Sequence, residues 1–600
     1  MGCFQSGIVS HRLVCNQLAG GRELTRWFSL LVAAIGFLIV APKLAAGTWT
    51  PLNHAAPDGI ITMLLLPDGT VMAQGAGDNT WYRLTPDSSG HYVNGTWTAR
   101  ASSTWSHIDG STAVLPSGKV FVAGGENGNS YDTVEIYDPV ADSWSVAVNP
   151  AYFGNIEDGN AMVLPGGQVL IEPQEASSGY SGDTFLFNPA DNTFSQTAGA
   201  PLHGITESTW VKLPGNYVLT IDSDNSSSGA TTAEYYDPST SKWQDLTANG
   251  VPNIWPDLSG SGVVSEMGPA FLLPNRSAIF FGGNGVTAVF SPLSLWSQGA
   301  TLGGGLGMKD APGAMMVNGK ILLAVSPPGD NSSKSDVNGI GPTSFYEFDY
   351  TANNGVGSFT IVPTPLFNIT IAASPVRFLD LPDGTVLMTA NSTQPWVYQP
   401  DGTPLTSGQP TIESVSKNSD GSLHLVGTLF NGISQGASYG DDAQMDSNYP
   451  LARFTDASGH VRYGRSYNWS STSVMTGSAL VSTECTLPAG ASLQDTIQVV
   501  ANGNASAGVH YPLFGGATTW VDYSFSYPVY DGTQAHPFNT LHSAFFTGFM
   551  GTGVLTVQPG GILAIAGDQN TSGGDGIITI TTPVRITAWP GTGTAHIGPN

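Results

Sequence analysis

A chain of 600 residues exceeds what one hydrophobic core can organise, so two to four domains are expected. Only 11% of the residues are charged, and 45 acidic against 19 basic residues give a net charge of −26. An acidic surface of this kind repels phosphate backbones and argues against nucleic acid as a partner.

Residues 1–46 read as an export signal. Arg12, Arg22 and Arg26 precede an apolar run of 15 residues, Trp27 to Ala41, and Leu44-Ala-Ala46 supplies small residues for cleavage. A spanning helix needs about 20 apolar residues, which favours cleavage over an uncleaved membrane anchor. On either reading the remainder is secreted or lies at the cell surface. Cys3 and Cys15 leave with the signal, so Cys485 is the one thiol left and no internal disulfide can form. Cys485 is expected to be a small buried hydrophobe.

Residues 47–405 repeat a hairpin. Met63-Leu-Leu-Leu-Pro-Asp-Gly-Thr-Val-Met returns as Ala113-Val-Leu-Pro-Ser-Gly-Lys-Val-Phe-Val, Met162-Val-Leu-Pro-Gly-Gly-Gln-Val-Leu-Ile and Val211-Lys-Leu-Pro-Gly-Asn-Tyr-Val-Leu-Thr. Its proline falls at 67, 116, 165 and 214, a period of 49 residues, and looser copies begin at Phe271, Met315 and Phe378, giving seven units. A third strand then ends in Asp-Pro or Asn-Pro and a fourth carries an aromatic, as in Val134-Glu-Ile-Tyr-Asp-Pro followed by Ser143-Trp-Ser. Four short Val/Ile/Tyr/Phe-rich strands between Gly, Pro, Asp and Asn turns make each unit a kelch-type propeller blade. Gly124-Gly125 and Gly282-Gly283 end second strands, where positive φ or close backbone approach is expected. The seventh unit lacks its own fourth-strand aromatic, while Gly47-Thr-Trp-Thr resembles Gly95-Thr-Trp-Thr. Trp49 is therefore expected to close the ring.

Residues 406–505 hold short alternating or apolar stretches, such as Ser422-Leu-His-Leu-Val-Gly-Thr-Leu and Thr496-Ile-Gln-Val-Val-Ala, and predict an immunoglobulin-like β-sandwich. A kelch propeller followed by a sandwich containing Ala437-Ser-Tyr-Gly-Asp-Asp442 resembles the galactose oxidase and glyoxal oxidase family. That resemblance implies copper held by two tyrosines and two histidines, with one tyrosine bonded to a cysteine. It places a Tyr-His pair at Ser374-Pro375 and a histidine near Gln444, and no cysteine lies between Ala46 and Glu484. Copper favours soft, imidazole-rich ligands, so copper-radical chemistry is expected to be lost.

The position seven residues before the hairpin proline should open each innermost strand at one mouth of the axial channel. It is Asp109, Asp158 and Glu207 in three consecutive units, with Glu157, Glu266 and Asp310 near equivalent places and His107 and His203 beside them. Converging carboxylates would suit Ca²⁺, with Asp109, Asp158 and Glu207 the candidate ligands, or would hydrogen-bond sugar hydroxyls with Trp105 or Trp210 as a stacking face. Equally, Asp-Gly and Glu-Ser there can simply shape a turn. Asp441, Asp442 and Asp446 could bind a cation too, although a polar loop touching the propeller accounts for them as well.

Residues 506–600, with Gly553-Val-Leu-Thr-Val and Gly576-Ile-Ile-Thr-Ile among their strands, resemble the opening of a parallel β-helix. One or two such coils cannot bury a stacked face alone. The chain as a whole reads as a secreted or surface propeller protein that binds a glycan or an extracellular protein without catalysis. The alternative is an oxidase or carbohydrate-active enzyme on the same scaffold. No catalytic residue or obligatory cofactor is predicted.

Overall fold

The computed structural model describes residues 46–511, other than 78, 126–132, 148–155, 157–158, 173–182, 200, 203–204, 206–207, 223–230, 248–249, 255–266, 329–339, 365–369 and 440–442. It also describes strands at 518–521, 562–565 and 585–588. The export-signal reading of 1–46 therefore falls outside the described residues except at Ala46.

The architecture is all-β. Seven antiparallel sheets form the blades of a propeller, over 60–100, 111–146, 161–196, 210–245, 270–301, 312–362 and 376–399, numbered 1 to 7 below. The first two strands of a blade are flanked by neighbouring blades on both faces, which is why Ile60–Leu65, apolar but for Thr62, and Val120–Ala123 run apolar rather than alternating, and every residue in them is buried. Outer strands face water and turn one aromatic each at least partly inward. That aromatic reaches back to the preceding blade: Trp144 Nε1 donates to the Ala101 carbonyl at 2.8 Å, Trp243 to Thr184 Oγ1 at 2.8 Å and Trp296 to the Leu246 carbonyl at 2.8 Å. In these three blades the indole N–H finds a partner and the tryptophan staples blade to blade.

The double glycine works as the sequence suggests. Gly124 has φ 66°, and a Cβ there would collide with the Ile156 carbonyl oxygen from the next blade's leading loop.

Closure is made by the first described strand. Thr48–Pro51 pairs antiparallel with Trp396–Gln399, and Trp49 stands opposite Tyr398. The Trp49 ring lies 4.7 Å from Tyr398 and 5.0 Å from Phe345 of blade 6, so the closing strand brings the missing aromatic.

Two four-stranded sheets follow and enclose a core that includes Val415, Leu425, Phe430, Phe454, Ile497 and Val499. Cys485 is fully buried in it, as a small hydrophobe. This sandwich covers the face of the propeller that bears the Pro-Asp-Gly turns. The Ser466 amide donates to the Pro67 carbonyl at 3.2 Å, and the Gly215 amide to Ser473 Oγ at 3.0 Å.

From the sandwich a hairpin, Gly436–Tyr439 and Ala443–Asp446, enters the axial channel. Its first strand pairs with the inner strand of blade 6, Ala314 with Ala437 and Pro312 with Tyr439, and the hairpin brings that sheet to six strands. Its second strand lies against the inner strands of blades 1, 2, 3 and 7. The segment expected as a loop touching the propeller is thus its axle. Asp441 and Asp442 lie outside the described residues. Beyond the sandwich, Thr518–Val521, Ile562–Ile565 and Arg585–Ala588 pair in parallel.

Candidate functional site

The inner strands begin at the channel mouth remote from the sandwich. The register of Pro312 with Tyr439 brings the hairpin to this level. Asp109 and Asp310 sit two residues before the inner strands of blades 2 and 6, and both adopt left-handed backbone, φ 54° and 45°. Aspartate tolerates this region better than most residues, so these two positions share one backbone geometry.

Asp109 is not an open cation ligand. Its Oδ1 accepts from Arg377 Nη2 at 2.6 Å, an ion pair between blades 2 and 7 whose side chains are 23% and 5% exposed. Arg377 also donates to the carbonyls of Ser374 and Val376. The guanidinium meets the charge that a Ca²⁺ ion would need from Asp109. Asp158, Glu207, His203, Glu157 and Glu266 lie outside the described residues. Among the described residues no group of three or more His, Cys, Asp or Glu side chains is arranged to hold a metal.

Two other expected contributors serve the scaffold. His107 is fully buried, with Nδ1 2.6 Å from the Gly124 carbonyl and Nε2 3.0 Å from Glu135 Oε2. Glu135 also accepts from the Thr104 amide at 3.0 Å and the Trp105 amide at 3.2 Å. Burial alone would raise the Glu135 carboxyl, but the His107 and Thr104 bonds outweigh it and hold the group below the usual glutamate range. This network anchors the loop leading from blade 1 to the mouth. Trp210, expected as a sugar platform, is fully buried on the inner strand of blade 4 against Trp243, so its faces are not available. Trp105 is half-buried and keeps exposed surface.

Sequence reasoning missed the charges that fix the axle. Lys212 Nζ donates to the Val163 carbonyl at 2.7 Å and the Thr472 carbonyl at 3.2 Å, and its amide donates to Gln435 Oε1 at 2.8 Å. Burial pulls Lys212 down to about 8 and pushes Asp446 up to about 6, each opposed by the other's charge. Asp446 is buried and also receives Gln435 Nε2 at 3.5 Å. Asp380, on the inner strand of blade 7, receives Ser447 Oγ at 3.3 Å and is pushed up to about 8 by burial. The clue was a charge within an apolar strand, as in Val211-Lys212-Leu213 and Val376-Arg377-Phe378-Leu379-Asp380.

Asp380 makes a pH prediction. Its folded value exceeds its unfolded one, so the folded state binds more protons and loses stability as pH rises from about 4 to about 8, by up to about 1.4 kcal/mol per unit. Asp380→Asn removes that slope. The unfolding midpoint of the variant relative to the native chain should climb across this interval and level off above it, as urea titrations at several pH values would register. A constant offset would contradict the buried, protonated carboxyl.

Comparison with known proteins places residues 109–150 as a match to the Kelch motif. No curated protein matches the chain. Among solved structures it is similar to a novel fungal alcohol oxidase of the AA5 family in complex with copper, at 13% identity and TM-score 0.46, over 78% of this chain and 99% of that one. It is also similar to YjhT, at 15% identity and TM-score 0.34, over 52% and 99% of the respective chains. Likeness at this level says nothing of the chemistry at the mouth.

Proposed function

We propose that this is a secreted or cell-surface, non-catalytic propeller protein of the galactose oxidase-like kind that holds a glycan, or a glycan-bearing extracellular protein, at the channel mouth. The Asp109–Arg377 pair carries the reading. A sugar hydroxyl both donates and accepts, so it can bridge a carboxylate and a guanidinium without displacing either, whereas a bare cation would have to compete with the guanidinium. Trp105 offers the accompanying apolar face.

The residues present do not fit a copper-radical centre. Ser374 and Pro375 stand where the family resemblance expects tyrosine and histidine, and Ser374 is buried beside Arg377. Cys485, the only cysteine after residue 46, is sealed between the sandwich sheets, where burial pushes its thiol well up. It is not placed to bond a tyrosine of the propeller. We further read the sandwich as immunoglobulin-like and the tail as the first coils of a parallel β-helix that packs on another domain or partner. The parallel register of its strands supports the latter.

The test combines a glycan array with metal and peroxide assays on purified protein. Glycan binding that is lost in Trp105→Ala and weakened in Asp109→Asn is expected, without stoichiometric copper and without peroxide from alcohols or aldehydes. Bound copper with a radical absorption band, or peroxide production, would overturn the reading.

A further inference from the structure

A second cleft opens on the opposite, turn-bearing face. Its volume is about 270 Å³, and it lies between the blade 2 turns at 117–119 and 138–140 and Arg465 of the sandwich. Four arginines of this acidic chain are matched to carboxylates: Arg83 to Asp68, Arg100 to Asp142, Arg377 to Asp109 and Arg462 to Asp456. Arg465 has no such partner among the described residues. Its guanidinium lies 4.4 Å from the centre of the Tyr467 ring, and Nη1 donates to the Ser117 carbonyl at 3.3 Å. The ring and the carbonyl fix the plane of the fork without neutralising it.

The surroundings are shaped for that fork. Gly118 has φ 81°, and a Cβ added there would lie 3.0 Å from Arg465 Nη1, so glycine both makes the turn and admits the guanidinium. Lys119 brings a second cation, 3.2 Å from Asp138. The Asp138 carboxylate is already engaged by the Val140 amide at 2.9 Å and the Ala141 amide at 3.2 Å. Two cations against one carboxylate leave the cleft a net positive charge within a chain of net charge −26. Pro139 and Val140 line its rim, and Val140 is 70% exposed, an apolar surface suited to the C–H face of a sugar ring.

We propose that this cleft binds a sugar bearing a carboxylate, a uronic acid. The guanidinium fork and Lys119 hold the carboxylate, the Ser117 hydroxyl meets a ring hydroxyl, and Pro139 with Val140 lie against the ring. The site is independent of the channel mouth and does not rest on the reading proposed for it.

Calorimetric titration of the full chain at low salt tests this, using digalacturonate, its neutral galactose counterpart and inorganic sulfate as probes. Digalacturonate should bind and the neutral sugar should not. Affinity should fall with added salt, by about tenfold or more in Arg465→Gln, and by less in Lys119→Gln. Both changes are at partly exposed side chains, and circular dichroism checks that the variants fold. Absent uronate binding, equal binding of the neutral sugar, or unchanged affinity in Arg465→Gln would each overturn the proposal. Sulfate binding as tightly as the uronate would reduce the cleft to an oxyanion site and overturn the sugar assignment.

Discussion

Glu135→Ala should lower stability by about 3–5 kcal/mol, the largest loss expected from any single substitution discussed. Removing this carboxylate leaves His107 Nε2 and the amides of Thr104 and Trp105 without their acceptor, at a site where both partners of the His107–Glu135 pair are fully buried. Each orphaned donor costs its desolvation, and the lost side-chain volume adds a cavity. His107→Ala should cost a comparable amount, because it strands the carboxylate instead. The double variant should cost less than the sum of the two, since neither partner is then left unpaired. Acid gives a second handle. The Glu135 carboxyl lies below its ordinary value when folded, so its contribution is present at neutral pH and fades as pH falls through the folded value. The deficit of Glu135→Ala should therefore shrink in acid. Urea unfolding followed by near-ultraviolet circular dichroism measures both effects, and a deficit under about 1 kcal/mol at neutral pH would show that the network is not what anchors the mouth loop.

Loss of the closing strand should be the next most damaging change. Trp49→Ala removes a ring packed on Tyr398 and Phe345 and should cost roughly 2 kcal/mol, since the indole is only partly buried. Deleting residues 46–51 goes further. It strips Trp396–Gln399 of its outer neighbour and leaves an open sheet edge on blade 7, a template for pairing with another chain. The truncated protein should melt earlier and self-associate on size-exclusion chromatography. A monomer with the native melting temperature would show that the ring holds without its seam.

The blades were legible because their rules are local. A turn proline every 49 residues, apolar runs on either side and a single aromatic in the fourth strand each report on a few neighbouring residues. Even closure could be read, from one tryptophan missing at residue 400 and present at residue 49. The mouth was legible in position but not in chemistry. Counting back from the proline found Asp109, yet nothing near it in sequence announces Arg377, 268 residues away. Trp210 and His107 were misjudged for a related reason. Their exposure depends on contacts remote in sequence: Trp243 of its own blade and Met162, Leu164 and Leu170 of blade 3 cover the tryptophan, and Glu135 and Gly124, from later strands of the blade it leads into, enclose the histidine. The hairpin at 436–446 could be recognised as strands, but its place in the axis depends on the whole ring. Only its buried charges, Lys212 and Asp380 on the facing inner strands, hinted that something polar had to meet them.

The seam between Thr48 and Gln399 also sets a clock. Synthesis reaches the first of these residues about 350 residues before the second, which at typical rates of about 5–20 residues per second is a delay of tens of seconds. Throughout that interval the strand has no mate, and the axle at 436–446 does not yet exist. No arc of blades can finish by itself, so the ring should reach its native state as one late event rather than blade by blade. The final structure of a chain of this design becomes available only once nearly all of it has been made.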